Sequence, residues 1–186
     1  MLDIKNGWLN SVEVEIQQTS HCEPRNINET IDLLVVHNIS LPPAQFGGDY
    51  ITDFFLGNLD PNIDPYFESI YKIRVSAHCL IQRSGHIIQY VSFNDKAWHA
   101  GVSSYQGREK CNDFSIGIEL EGTDDIPYTS KQYQQLSRLS KSLIKVYPAL
   151  ENNIVGHCDI APERKSDPGK SFDWDLYRET LVKMNF

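Results

Sequence analysis

The run Ile-Asp-Leu-Leu-Val-Val at residues 31–36 constrains this chain more than any other feature. A strand with one wet face alternates polar and apolar residues, whereas this run is nearly continuous, so it reads as a central strand buried on both faces. His37 ends it. The pattern returns near the C-terminus, where Ile154-Val155 runs through Gly156 into His157-Cys158-Asp159 and then into a loop punctuated by Pro162, Pro168 and Gly169. Two histidines at the ends of two buried strands would meet at one edge of a sheet, where open α/β folds place ligands. Asp167 follows on the same loop, ten residues after His157. His37, His157 and Asp167 are therefore a candidate zinc-ligand set that leaves one position open for water. A lone histidine after an apolar run is more often a hydrogen-bonded structural residue, and the residues by themselves leave that alternative open.

The other segments supply the partners such a strand needs. Val12, Val14 and Ile16 alternate with charged or polar residues, the pattern of a half-buried edge strand, within an otherwise polar, loosely packed entry of about thirty residues. Tyr50–Leu56 is long enough for two helical turns, and an irregular stretch follows, 57–65. Residues 75–82 and 87–92 flank Arg83-Ser84-Gly85 and read as a hairpin. Residues 94–113 read as irregular. From 114 to 121 the chain alternates cleanly: Phe114, Ile116, Ile118 and Leu120 on one face, Ser115, Gly117, Glu119 and Glu121 on the other. Thr129-Ser130-Lys131-Gln132 fits a capping box opening the longest helix, which Pro148 stops. Residues 171–184 read as a closing helix with Trp174, Tyr177 and Leu181 on one side. The expected class is α/β, a mixed central β-sheet flanked by helices, with residues 1–186 as one domain.

Composition narrows the partners. A net charge of −8 argues against nucleic acid or an anionic membrane as the main partner. It leaves an anionic substrate open, because Arg74, Arg83, Arg108, Lys110, Arg164 and Lys165 fall near the motif segments and can make a local basic field. No apolar run approaches a membrane span. The N-terminus carries neither a basic n-region nor an apolar h-region, so no secretory signal and a cytoplasmic location are expected. Cys22, Cys79, Cys111 and Cys158 are widely spaced and are expected as free thiols. No obligate protein partner is evident.

Five stretches are specific in combination: Val36-His37-Asn38-Ile39-Ser40, Val75-Ser76-Ala77-His78-Cys79-Leu80-Ile81, Ala97-Trp98-His99-Ala100-Gly101, Ile116-Gly117-Ile118-Glu119-Leu120-Glu121-Gly122, and the segment from Ile154 to Gly169. In order and spacing they resemble the zinc-dependent N-acetylmuramoyl-L-alanine amidases, over nearly the whole chain. The resemblance implies the fold shared by these amidases and the peptidoglycan recognition proteins. It implies Zn2+ held by His37, His157 and Asp167, with Glu119 as the base and Lys165 beside the oxyanion. It implies hydrolysis of the amide bond between (1,6-anhydro-)N-acetylmuramic acid and L-alanine of a muropeptide in cell-wall recycling. Asn38, Arg74, His99 and Lys110 are its implied substrate contacts, Lys110 standing where an arginine is expected and so lacking the planar fork. His78 reads as structural, His21 and His86 as surface residues. The alternative is a muropeptide-binding module on the same fold that does not cut.

Overall fold

The computed structural model describes residues 2–184. Six strands form its main sheet: β1 (Val14–Ile16), β2 (Leu33–Ile39), β3 (Cys79–Ile81), β4 (Ile87–Gln89), β5 (Ser115–Glu121) and β6 (Ile154–Gly156). Their spatial order is β6-β2-β5-β3-β4-β1. From β6 to β3 every pairing is parallel, β3 and β4 form the antiparallel hairpin, and β1 runs parallel to β4. Leu33, Leu34, Val35 and Val36 are all fully buried, as a strand covered on both faces requires.

Each face has its own cover. Leu34, Val36, Ile116, Ile118 and Leu120 pack against the long helix α3 (Ser130–Val146) and the closing helix α5 (Trp174–Lys183). Leu80 and Ile88 pack on the other side against α1 (Tyr50–Leu56) and α2 (Pro65–Ile70). The capping box is present in full, with Thr129 accepting from the Gln132 amide and the Gln132 side chain accepting from the Thr129 amide. Helix α2, absent from the sequence reading, starts with Asp64 capping the Tyr66 amide and Pro65 in the first turn. Both are start signals hidden inside a stretch that looks irregular.

Three expectations change. Only Val14 of the first alternating set packs on the core; Val12 lies in the turn before the strand and is fully exposed, and Ile16 is 45% exposed at its end. The entry segment is tied down: Leu2 and Leu9 are buried, and Cys22–Pro24 pairs with Asp95–Ala97. Phe114 packs with Leu33, Val35 and Ile160, away from the face of Ile116, because it caps the short 3-10 turn Cys111–Asp113, before β5 begins. All four cysteines are free. Among the described residues no helix is long and apolar enough to cross a membrane.

Candidate active site and metal centre

Strands β2 and β5 are parallel neighbours, and their register sets Glu119 beside His37. Both side chains point to the same face, opposite that of Val36 and Ile118. Next to β2, strand β6 ends at Gly156, and His157 opens the short helix α4 (His157–Ile160) at the carboxyl edge of the sheet. The chain then loops back until the Asp167 carbonyl accepts from the Cys158 amide at 2.9 Å. That bond returns Asp167 to the histidine it left.

The three side chains meet closely. Nδ1 of His37 and Nδ1 of His157 are 3.0 Å apart; Oδ2 of Asp167 is 3.2 Å from the first and 3.0 Å from the second. All three residues are buried or nearly so. The other ring nitrogens are already engaged: His157 Nε2 lies 3.3 Å from the Ala100 carbonyl, and His37 Nε2 lies 2.9 Å from His99 Nδ1. A carbonyl can only accept, so His157 carries its proton on Nε2 and turns a lone pair inward. Such a triangle of acceptor atoms has the size of one face of a zinc tetrahedron, whose edges are about 3.3 Å for bonds of roughly 2.0–2.1 Å. The residues fit a divalent cation. Burial holds His37 down to about 4, in spite of Asp167 beside it. Neutral imidazoles and an ionised carboxylate are the forms that ligate metal.

A cavity of about 440 Å³ opens over this triangle, lined on its polar side by Asn38, His99, Glu119 and Lys165 and on its apolar side by Phe54, Phe55, Ile70, Val75 and Trp98. Oε2 of Glu119 is buried without a hydrogen-bond partner. Burial first, and the charge of Asp167 second, raise the Glu119 pKa well above the ordinary 4.5, with Lys165 opposing. A carboxylate kept unpaired in a cleft, with a perturbed pKa, is equipped to exchange protons.

The remaining sequence candidates fall in three places. Asn38 lines the cavity, but its amide donates to Asp124 at 2.8 Å. Arg74 is exposed at the rim, its guanidinium 5.4 Å from the centre of the Trp98 ring. Lys110 lies outside, in a neighbouring cleft with Arg164 and residues 101–104. The basic field is narrower than the sequence suggests. Arg108 is paired with Glu29 and Asp32, Arg83 donates to Pro127, and Arg164 holds the Ala100 and Val102 carbonyls. His78 is fully buried, as expected of a structural residue, with burial pushing it down to about 3. His21, expected at the surface, is buried, with Nδ1 at 3.2 Å from the Val75 carbonyl and its ring stacked on Trp98.

Two residues escaped the sequence reading. Asp124 accepts from Asn38, the neighbour of His37, and from Ser166, the neighbour of Asp167, and so clasps the two candidate-ligand segments together. Nothing local marks such a residue. Arg25 is mostly buried and donates to the carbonyls of Phe93, Asn112, Asp113 and Ser115, fixing the loop that carries His99 against β5. Its place in a polar segment hides it.

Residues 27–170 match the family described as N-acetylmuramoyl-L-alanine amidase. The chain is 59% identical over 179 residues to the 1,6-anhydro-N-acetylmuramyl-L-alanine amidase AmpD of Citrobacter freundii, covering 96% of this chain and 95% of that one. A crystal structure of a selenomethionine AmpD derivative is similar with a TM-score of 0.93 at 57% identity, covering 97% and 99% of the two chains. AmpDH3 of Pseudomonas aeruginosa, solved with an anhydromuramic pentapeptide, is more distant: TM-score 0.63, 27% identity, 97% of this chain and 66% of that one. On this match of sequence and fold, the chain belongs to the N-acetylmuramoyl-L-alanine amidase family.

Proposed function

We propose that this chain is a zinc-dependent amidase that hydrolyses the bond between 1,6-anhydro-N-acetylmuramic acid and the L-alanine of a muropeptide, in the cytoplasm, during cell-wall recycling. The observation that carries the reading is the triangle of His37 Nδ1, His157 Nδ1 and Asp167 Oδ2 beneath a cleft that also holds the unpaired Glu119 carboxylate. The AmpD relatives are 1,6-anhydro-N-acetylmuramyl-L-alanine amidases, and their activity supplies the substrate. A module that only binds muropeptide has no use for three converging acceptor atoms.

His37, His157 and Asp167 would hold the zinc ion. When bound, zinc supplies Lewis acidity, drawing the pKa of water down to about 7 and polarising a carbonyl. Glu119 takes the proton of the attacking water as its oxygen bonds to the carbonyl carbon. As the C–N bond breaks, the same carboxyl returns that proton to the departing L-alanine nitrogen, which an amide requires because an amide anion is too poor a leaving group. The raised pKa of Glu119 suits both halves of that exchange. Lys165 sets its ammonium toward the oxygen that gains charge. The apolar wall of Phe54, Phe55 and Ile70 excludes bulk water and strengthens each of these interactions. Arg74 at the rim offers a fork to a peptide carboxylate.

Mass spectrometry of products from anhydro- and non-anhydro-muropeptides, with and without chelator, tests the reading. Free L-Ala-peptide and anhydro sugar are expected without chelator and neither with it. Asp167→Ala should lower bound zinc in atomic emission while leaving the far-UV circular dichroism near that of the parent. Binding of muropeptide with no cleavage, or cleavage indifferent to chelator, would sink the proposal.

A further inference from the structure

His37 is held by a chain of side chains rather than by a carbonyl. Its Nε2 lies 2.9 Å from His99 Nδ1, His99 Nε2 lies 3.1 Å from the Ser115 hydroxyl, and that hydroxyl lies 2.5 Å from the Cys111 carbonyl. Only the last atom has a fixed role, since a carbonyl oxygen accepts and never donates. Ser115 therefore gives its one proton to Cys111. Its oxygen is left as an acceptor facing His99, so the ring proton of His99 sits on Nε2. A neutral imidazole has one such proton, which makes His99 Nδ1 an acceptor and His37 Nε2 the donor to it. His37 is left with a bare Nδ1 aimed at Asp167 and His157.

We infer that Ser115 and His99 are positioning residues, forming a one-way relay from the Cys111 carbonyl that fixes the tautomer and ring angle of His37 for metal binding. The inference deepens the zinc reading above and rests on it for its consequence, though not for its geometry. Outer partners of this kind orient a ligand ring and raise its basicity. His157 reaches a carbonyl directly, whereas His37, deeper in β2, reaches one through two side chains.

The fold makes specific room for the relay. Ser115, Gly117 and Glu119 alternate along one face of β5, and each does a different job there. Ser115 is fully buried and anchors the relay. At Gly117 the His99 ring lies flat on the strand, so an added Cβ would sit 2.3 Å from its Cγ. Glu119 is left facing the cleft. The backbone of His99 is held too, since Asn112 Oδ1 accepts from the amides of His99 and Ala100 at 3.1 and 2.8 Å.

The test uses the full chain labelled with ¹⁵N at histidine, stripped of metal and held at pH 8. Long-range ¹H–¹⁵N correlations then separate protonated from bare ring nitrogens. His37 and His99 are both expected as Nε2–H tautomers. Ser115→Ala should give mixed tautomers at both rings and raise the zinc dissociation constant, read by chelator competition, by roughly 10–100-fold. His99→Asn keeps an oxygen acceptor within reach of His37 and should hold zinc more tightly than His99→Leu, which has none. This pair decides the matter if Ser115→Ala does not fold. His37 found as Nδ1–H in the metal-free parent overturns the relay, as does Ser115→Ala with parental tautomers and parental zinc affinity. A parent with both rings as Nε2–H that nevertheless binds no zinc supports the relay and defeats the zinc reading instead.

Discussion

Glu119→Gln should make the metal-free protein more stable while removing its activity. The Glu119 Oε2 atom is buried and has no hydrogen-bond partner, and its strand neighbour His37 offers it none. Burial and the nearby Asp167 hold its pKa well above 4.5. A group that binds its proton more tightly folded than unfolded adds stability at low pH, and that contribution is lost as pH rises through the folded pKa. At pH 8 the charged, unpaired carboxylate is a liability. Glutamine keeps the volume and removes the charge. An unsatisfied buried polar group costs about 1–3 kcal/mol, and more when charged. Of that, a gain of about 1–3 kcal/mol is expected in the variant, or roughly 2–12 °C in Tm for a chain of this size. The measurement is thermal unfolding by circular dichroism in chelator at pH 8 and pH 4, with kcat of the zinc-loaded protein alongside. The Tm gap should be wide at pH 8 and close toward pH 4, where both states are protonated. On the activity side kcat should fall by roughly 10²–10⁴-fold. A variant no more stable than the parent at pH 8, with kcat retained, would refute both the strain and the role.

Two further outcomes follow from the geometry. Asp124→Ala removes the acceptor shared by Asn38 and Ser166, so it should cost roughly 1.5–3 kcal/mol of stability and speed hydrogen exchange across residues 165–169, which mass spectrometry reads directly. Arg74→Ala should raise KM roughly 10–100-fold for muropeptides whose peptide carries a free carboxylate and leave kcat near the parent; an unchanged KM removes Arg74 from the site.

Long, strongly patterned segments were legible in the sequence because one physical rule governs each. The buried run before His37, the alternation from Ser115 to Glu121 and the capping box at Thr129 all appear where their periodicity puts them. Segments shaped by distant contacts were not. The polar stretch around Arg25 carries no period, and its order comes from carbonyls at Phe93, Asn112, Asp113 and Ser115 that the chain reaches only after folding. His21 fails for the same reason: its cover is Trp98 and the Val75 carbonyl, both far away in sequence. Lys110 shows how far a motif can be trusted. Its neighbourhood marks it as near the site, yet a left-handed backbone (φ 60°) at the turn into residues 111–113 sets it in the adjoining cleft.

The candidate metal-ligand set divides in the same way. Two of its members come from strand ends, where a buried apolar run stops at a histidine, and this is visible in one dimension. The third depends on a loop closing on itself, through the Cys158 amide bonded to the Asp167 carbonyl, the Tyr128 hydroxyl donating to the Pro168 carbonyl at 2.8 Å and the Asp124 clasp. Those bonds fix Asp167 before any cation arrives. A preformed site gives up little entropy on binding, since the ordering cost of residues 165–169 has been met by folding. The same closure carries Lys165 to the cleft, two residues from Asp167. One short loop thus sets both a candidate metal ligand and a cation lining the same cleft as Glu119, and a substitution that frees it should disturb zinc affinity and kcat together.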